Sequence, residues 1–196
     1  ETVRFLGAFC VIATGYALIA LARVAGAPRS LGYAAAVLYA AHSLQLGGLA
    51  SNTEILFAPL VVSSLALALA QGPLWPRLIG MGVLIGCALL IKQVVTPEGC
   101  LAYAIFAWPL LRQRRWGLLL GTACAYAALC VAPSALVAGI YALRGEFDIW
   151  FESTILTPLQ YASGRIPLEQ MLWRISLAAL ALRWLLALSL PALVLA

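Results

Sequence analysis

The chain has 196 residues, of which 64% are hydrophobic and 10% are charged, and its mean hydropathy is +1.01. A soluble domain carries roughly 25% charged residues, so the composition excludes an ordinary soluble domain. The net charge of +5 does not indicate nucleic-acid binding, because the charges fall in short clusters between apolar runs. The composition therefore predicts an integral membrane protein with no nucleic-acid partner.

Seven apolar segments follow one another along the chain, and their lengths favour membrane helices over the short alternating strands of a membrane barrel. They lie at residues 5–25, 31–47, 54–71, 77–91, 98–111, 116–143 and 177–196. The fourth and fifth are short for a span of about 20 residues, so we expect tilt, extra loop residues or shifted bounds there. Pro133 predicts a kink in the sixth.

These segments predict an all-α, polytopic transmembrane helix bundle with about seven spans in a single domain over residues 1–196. Both ends of the sequence lie close to or within apolar segments. We therefore expect the chain to be a fragment of a longer protein. Residues 167–177 (PLEQMLWRISL) allow two alternatives: the start of the last span, or an interfacial helix. Arg183 favours the second, because a charge deep in a lone span costs a few kcal/mol.

The charges divide between alternate connections. One set contains basic residues without any acid: Arg23, Arg29, Arg77, Arg112, Arg114 and Arg115. The other set contains all seven acidic residues: Glu1, Glu54, Glu98, Glu146, Asp148, Glu152 and Glu169. The positive-inside rule places the first set in the cytoplasm. The acid-containing connections at 47–54, 92–99 and 144–174 then face outward, which predicts an extracytoplasmic functional surface.

The first of these connections, GGLASNTE (47–54), allows two interpretations. Ser51 or Asn52 suits the N-cap of the third helix, and Glu54 suits its dipole, so capping alone accounts for the sequence. Alternatively, Asn52, Thr53 and Glu54 line a polar pocket that the two preceding glycines let a ligand approach.

Lys92 is the only lysine and lies with Gln93 at the outer end of the fourth segment. It is either a cation snorkelling at a helix C-terminus or a phosphate ligand. Thr96 to Glu98 (TPE) predict a helix start with Thr96 as its cap. His42, in the outer half of the second span, suits a packing residue better than a base and is a secondary pocket candidate.

Three stretches carry a resemblance to a known family: GLASNTEILFAPL (48–60), GCALLIKQ (86–93) and FDIWFESTILTPLQYASGR (147–165). Together they resemble bacterial membrane glycosyltransferases of family 39, related to protein O-mannosyltransferases and the lipid A aminoarabinose transferase, within the GT-C superfamily. Thr53 and Glu54 match a T-D or T-E pair of that family. Lys92 matches the lysine that follows its apolar helix.

The resemblance implies an enzyme of the bacterial inner membrane that transfers a sugar from a polyprenyl-phosphate donor to a lipid, glycan or protein acceptor, with inversion. It implies that Lys92 and Gln93, assisted by Arg165 or Arg174, bind the donor phosphate. The family's catalytic acid lies in the first outer loop, so we expect it upstream of Glu1 and expect no catalytic residue in this chain.

The sequence keeps other classes open. A transporter or flippase of lipid-linked sugars would also have many spans, although no inverted repeat and no charge pair in a span centre is evident. A non-catalytic assembly subunit is a third possibility. The five cysteines lack metal-type spacing, so we expect no metal site or cofactor, and the resemblance does not settle metal dependence.

Overall fold

A computed structural model describes residues 2–45, 53–163 and 168–181, which form helices and short connections, with no strand among them. The helices are α1 Thr2–Val24, α2 Arg29–Gln45, α3 Thr53–Leu69, α4 Leu74–Ile91, α5 Thr96–Arg112, α6 Trp116–Leu143, α7 Phe147–Phe151, α8 Thr157–Ser163 and α9 Leu168–Ala181. A 3-10 turn at Gln93–Val95 precedes α5, and a π-helical turn at Glu152–Leu156 joins α7 to α8. The all-α prediction is confirmed for this part of the chain.

Four of these helices are long and apolar enough to cross a bilayer: Arg4–Val24, Leu74–Ile91, Gln93–Arg112 and Trp116–Leu143. No more than a third of the hydrophobic window of any of them is buried within the protein. Phe5 is 74% exposed and Leu136 is 68% exposed. Apolar helices that leave most of their surface uncovered need a surrounding lipid phase, so the chain is a helical membrane protein.

The helix bounds follow the predicted apolar segments closely. The sixth segment, 116–143, coincides with α6, and the fourth lengthens to the 18 residues of α4. The fifth lengthens to 20 residues once the 3-10 turn is included, which removes the apparent shortness. Most of the seventh segment, with Arg183, lies outside the described residues. The count of seven spans and the single domain over 1–196 stay predictions.

The helices up to Arg144 form one compact unit, and those from Gly145 onward form another. In the first unit, α3 packs against α1, α4 and α5, while α6 packs against α4 and α5, and α2 packs against α1. Leu78, Met81 and Ile85 of α4 are at most 1% exposed. Helix α4 is therefore the buried centre of this unit.

Small residues allow α4 and α6 to approach closely. Gly82 and Gly86, four positions apart, both face α6. A Cβ at Gly86 would lie 2.8 Å from the Cys130 carbonyl oxygen and 2.9 Å from that of Leu129. This is the small-xxx-small arrangement by which membrane helices bring their backbones together, and the sequence analysis did not single it out.

Two tyrosines join α5 to α6. The Tyr126 hydroxyl donates to the Gly99 carbonyl at 2.9 Å, and the Tyr103 hydroxyl donates to the Leu119 carbonyl at 2.9 Å. Their rings stack with centroids 5.1 Å apart. Between apolar helices these hydroxyls need partners, because unpaired polar groups are costly in hydrocarbon.

Two predicted connections differ in the structure. Thr96 is not the cap of α5: its hydroxyl donates to the Gln93 carbonyl at 2.7 Å, because the 3-10 turn already leads the chain into the helix. Residues 147–163, expected as part of an outer connection, are helical in the second unit. Phe147 packs against Trp150 and Phe151 at centroid distances of 5.7 and 6.0 Å, and such i, i+3 and i+4 aromatic contacts stabilise a helix.

Substitution of Gly86 by alanine tests the close approach of α4 and α6. The added Cβ has two carbonyl oxygens inside contact distance, so overpacking of about 1–3 kcal/mol should outweigh the gain of roughly 1 kcal/mol in helix propensity. We expect a lower unfolding midpoint in lipid nanodiscs. Gly139→Ala in α6, where nothing lies within 4 Å of the new Cβ, is the control and should leave the midpoint unchanged or raise it. Equal midpoints for both variants would contradict the close packing.

Candidate functional site

Lys92 stands where α4 ends. Its backbone is extended, with φ −158° and ψ 123°, and its N–H donates to the Ala88 carbonyl at 3.0 Å. The helix stops here because the next residues turn into the 3-10 segment at Gln93–Val95 and then into α5. Lys92 thus stands at the junction of two candidate membrane helices.

Glu54 lies in the first turn of α3 and meets Lys92 there. The Lys92 Nζ donates to Glu54 Oε1 in an ion pair between residues 38 positions apart. Packing of α3 against α4 brings the start of one helix beside the end of the other. The structure therefore brings together two residues that the sequence analysis selected separately.

The ion pair is partly open to its surroundings. The Lys92 side chain is 41% exposed and that of Glu54 is 48% exposed. Glu54 lies outside the four candidate membrane helices, and the hydrogen bond from Lys92 holds the pKa of its carboxyl below the ordinary value. An exposed pair of this kind contributes only about 0.2–1 kcal/mol, so the folded state does not depend on it.

Two further candidates, Thr53 and Gln93, are sequence neighbours of the ion-paired residues. The Thr53 hydroxyl donates weakly to Glu54 Oε2 at 3.4 Å, which adds a polar group to the pair. Gln93 lies in the 3-10 turn next to Lys92, and this residue has an interaction within the protein. Both residues therefore belong to the same end of the helices as the ion pair.

His42 belongs to a different part of the first unit. Its Nδ1 donates to the Leu38 carbonyl at 3.3 Å within α2, and α2 packs against α1. This contact fits the packing interpretation of His42 that the sequence favoured. Asn52 and Arg165, predicted for the pocket and the phosphate respectively, lie outside the described residues, as does the side chain of Arg174.

Glu98 is a residue whose role the sequence analysis assigned mainly to the helix start. It lies in the first turn of α5, at the end of the bundle that carries Lys92, and its Oε2 is buried with no hydrogen-bond partner in the described part of the chain. A buried carboxylate oxygen without a donor is costly, so it is a place where a bound donor group would be favourable. The available sequence signal was an acid six residues after the only lysine.

A cavity lies at the opposite end of α4 from Lys92. A space of about 600 Å³ opens between the last turn of α3, the start of α4 and the second half of α5, and Arg77 and Trp108 line it. Arg77 donates to the Leu67 and Ala68 carbonyls and lies over the Phe106 ring. Almost the whole of α4, roughly 20–25 Å, separates this cavity from Lys92.

The polar groups at the Lys92 end can bind both anions and hydroxyl groups. An ammonium offers three donors to an anion, while the two carboxylates accept hydrogen bonds from hydroxyl groups. Among the described residues, no group of three or more histidine, cysteine, aspartate or glutamate side chains comes together in a way that would hold a metal ion.

Comparison with known proteins does not identify a relative: no protein-family model matches the chain, and no curated protein or solved structure matches it either. The candidate site therefore stands on the geometry of Lys92, Glu54 and their neighbours.

A double-mutant cycle of Lys92→Met and Glu54→Gln tests how far the ion pair stabilises the fold. We expect a coupling free energy of about 0.2–1 kcal/mol from unfolding in nanodiscs, because both side chains are partly exposed. The same cycle at about 1 M salt, where the Debye length is roughly 3 Å, is the control and should give a smaller coupling. A coupling above about 2 kcal/mol would show a structural pair instead.

Proposed function

We propose that this chain is the membrane part of a GT-C-type glycosyltransferase, similar to family 39, that uses a polyprenyl-phosphate sugar as donor. The observation that carries the proposal is the ion pair between Lys92 and Glu54. Lys92 is the only lysine of the chain and lies at the C-terminal end of α4. Both paired residues belong to the stretches that resemble the family. In this proposal the bundle has about seven spans.

Lys92 is the residue that binds the donor phosphate in this proposal. Breaking the bond between the anomeric carbon and the phosphate oxygen leaves negative charge on the phosphate, and a nearby cation stabilises that charge. Because the ion pair is partly exposed and an ammonium has three donors, a phosphate can bind Lys92 without first unfolding any helix. Gln93 and Arg165 are proposed to assist.

Glu54 acts on Lys92 rather than on the sugar in this proposal. Its carboxylate fixes the ammonium at the helix end, and Thr53 extends the polar surface beside it. Asn52 completes the proposed pocket lining. The base that activates the acceptor is not assigned to any of the 196 residues, which is why Glu54 is not named as catalytic.

The proposed setting is the inner membrane of a bacterium, with the Lys92 end of the bundle facing outward. The support is the division of charge, since the basic connections contain no acid and the positive-inside rule places them in the cytoplasm. A lipid, glycan or protein acceptor would then approach from outside. The polyprenyl chain would lie in a hydrophobic cleft between the spans.

One observation supports a second candidate, a flippase or transporter of lipid-linked sugars. The cavity of about 600 Å³ beside Arg77 lies at the opposite end of α4 from Lys92, so cations are available at both ends of the bundle. A transporter needs a site that opens to each side in turn. A transferase needs only the outer one.

Binding of a short-chain polyprenyl phosphate to the chain in nanodiscs tests the role of Lys92. Loss of a charge-assisted hydrogen bond costs about 1.5–3 kcal/mol, so Lys92→Gln should weaken binding by roughly 10- to 100-fold, while Lys92→Arg should retain most of it. Arg4→Gln removes a cation three residues from Glu1, which belongs to the set of charges assigned to the outer side. It is the matched control and should change the affinity less than about twofold. Equal losses in Lys92→Gln and Arg4→Gln would refute a specific phosphate site.

Transfer by the full-length protein separates the two candidate functions. Lys92→Ala should raise the apparent KM for the donor or abolish transfer while folded protein is retained, and Glu54→Gln should have a smaller effect. Wild-type transfer by Lys92→Ala would remove Lys92 from the mechanism. Translocation of a fluorescent lipid-linked sugar across proteoliposomes, without any transfer to an acceptor, would instead support the flippase.

A further inference from the structure

A second, smaller cavity lies at the turn between α1 and α2. It has a volume of about 170 Å³ and is lined by Ile19, Arg23, Arg29 and Tyr33. Two of the four side chains carry a positive charge, and none of the four is acidic. The cavity is below the roughly 300 Å³ at which drug-sized ligands begin to fit, and it has room for a phosphate with its ester oxygens.

The turn that joins the two helices builds this cavity. The Ala27 N–H donates to the Ala22 carbonyl at 2.9 Å and the Gly26 N–H donates to the Arg23 carbonyl at 3.2 Å. Gly26 has a φ of +76°, the left-handed conformation that such a C-terminal motif needs. The chain therefore reverses within four residues and sets Arg29, at the start of α2, beside Arg23.

Close packing of α1 and α2 fixes the cavity wall. A Cβ added at Gly32 would lie 3.2 Å from the Ile19 Cα and 3.2 Å from the Ala22 Cβ. This contact lies one turn beyond Arg29 and holds the first turns of α2 against the last turns of α1. Ile19 forms the apolar side of the cavity, and Tyr33 forms the side that faces away from the turn.

Neither guanidinium is engaged within the described part of the chain. The side chains of Arg23 and Arg29 are exposed and make no hydrogen bond or ion pair there. Two other arginines from basic connections behave differently: Arg77 donates to two carbonyls and lies over Phe106, and Arg112 lies over the Trp108 ring. Arg23 and Arg29 thus line one small cavity, and each guanidinium carries five N–H donors that no residue in this part of the chain uses.

We propose that this cavity binds the phosphate of an anionic phospholipid. Guanidinium groups bind phosphate oxygens in pairs, and a basic pocket between membrane helices at the bilayer surface suits a lipid headgroup. Ile19 and the lipid-facing surface of α1 continue from the cavity toward the hydrocarbon, so the acyl chains of the same lipid have an apolar path. This binding site is independent of the proposed transfer of a sugar.

Native mass spectrometry of the full chain in mixed phospholipid tests the proposal. The probe is phosphatidylglycerol, and the comparison is phosphatidylcholine, a zwitterion whose choline group balances the phosphate so that its net charge is zero. The variant Arg23→Gln/Arg29→Gln should bind phosphatidylglycerol at least tenfold more weakly. The matched control Arg114→Asn/Arg115→Gln also removes two positive charges, but from another basic connection. Asn is chosen at position 114 because it tolerates the left-handed φ of +54° there. The control should change binding less than twofold.

Three results would overturn the proposal. If both double variants weaken phosphatidylglycerol binding equally, the lipid is attracted to the basic side as a whole. If phosphatidylcholine binds as strongly as phosphatidylglycerol, the net negative charge of the lipid is not recognised. Binding of inorganic phosphate as strong as that of phosphatidylglycerol would identify a soluble ligand. The unfolding midpoint measured in pure phosphatidylcholine verifies that the variants fold. If the double variant does not fold, the single variant Arg29→Gln replaces it and should weaken binding severalfold.

Discussion

The close approach of α4 to α6 is the contact on which the rest of the first unit depends. In a bilayer the lipid tails are as apolar as the helix surfaces, so hydrophobic burial alone does not select one arrangement of helices. Gly82 and Gly86 remove the side chains that would hold α4 away from Leu129 and Cys130. Once α4 lies there, Leu78, Met81 and Ile85 are buried and α4 becomes the surface against which α3 also packs.

That arrangement decides where polar groups can be placed. The hydroxyl groups of Tyr103 and Tyr126 inside the bundle donate to backbone carbonyls and join α5 to α6. In the first unit, charged residues lie near helix ends, where they avoid the hydrocarbon centre of the bilayer. The partly exposed ion pair of Lys92 and Glu54 adds little to stability, and this leaves Lys92 able to exchange its carboxylate partner for an anion of higher charge.

The sequence predicted the helices well where an apolar run is bounded by charge. The bounds of α6 coincide with the predicted segment because Arg115 and Arg144 flank an uninterrupted apolar stretch. The helical character of 147–163 was not predicted, because acids and aromatics mixed over a short stretch are equally typical of an interfacial loop. The stacking of Phe147 on Phe151 depends on a conformation that composition does not specify.

The candidate site was predictable in its members but not in their contact. Charge division placed Glu54 and Lys92 on the same side, yet their pairing over 38 positions depends on how α3 packs on α4. Gly80 lies at this interface, where an added Cβ would come within 2.8 Å of Leu67 Cδ1 of α3. Gly82 and Gly86 face α6 on another side of the same helix, so α4 contacts both of its neighbours through small residues. The pairing of Lys92 with Glu54 is thus a consequence of helix packing that no local sequence pattern specifies.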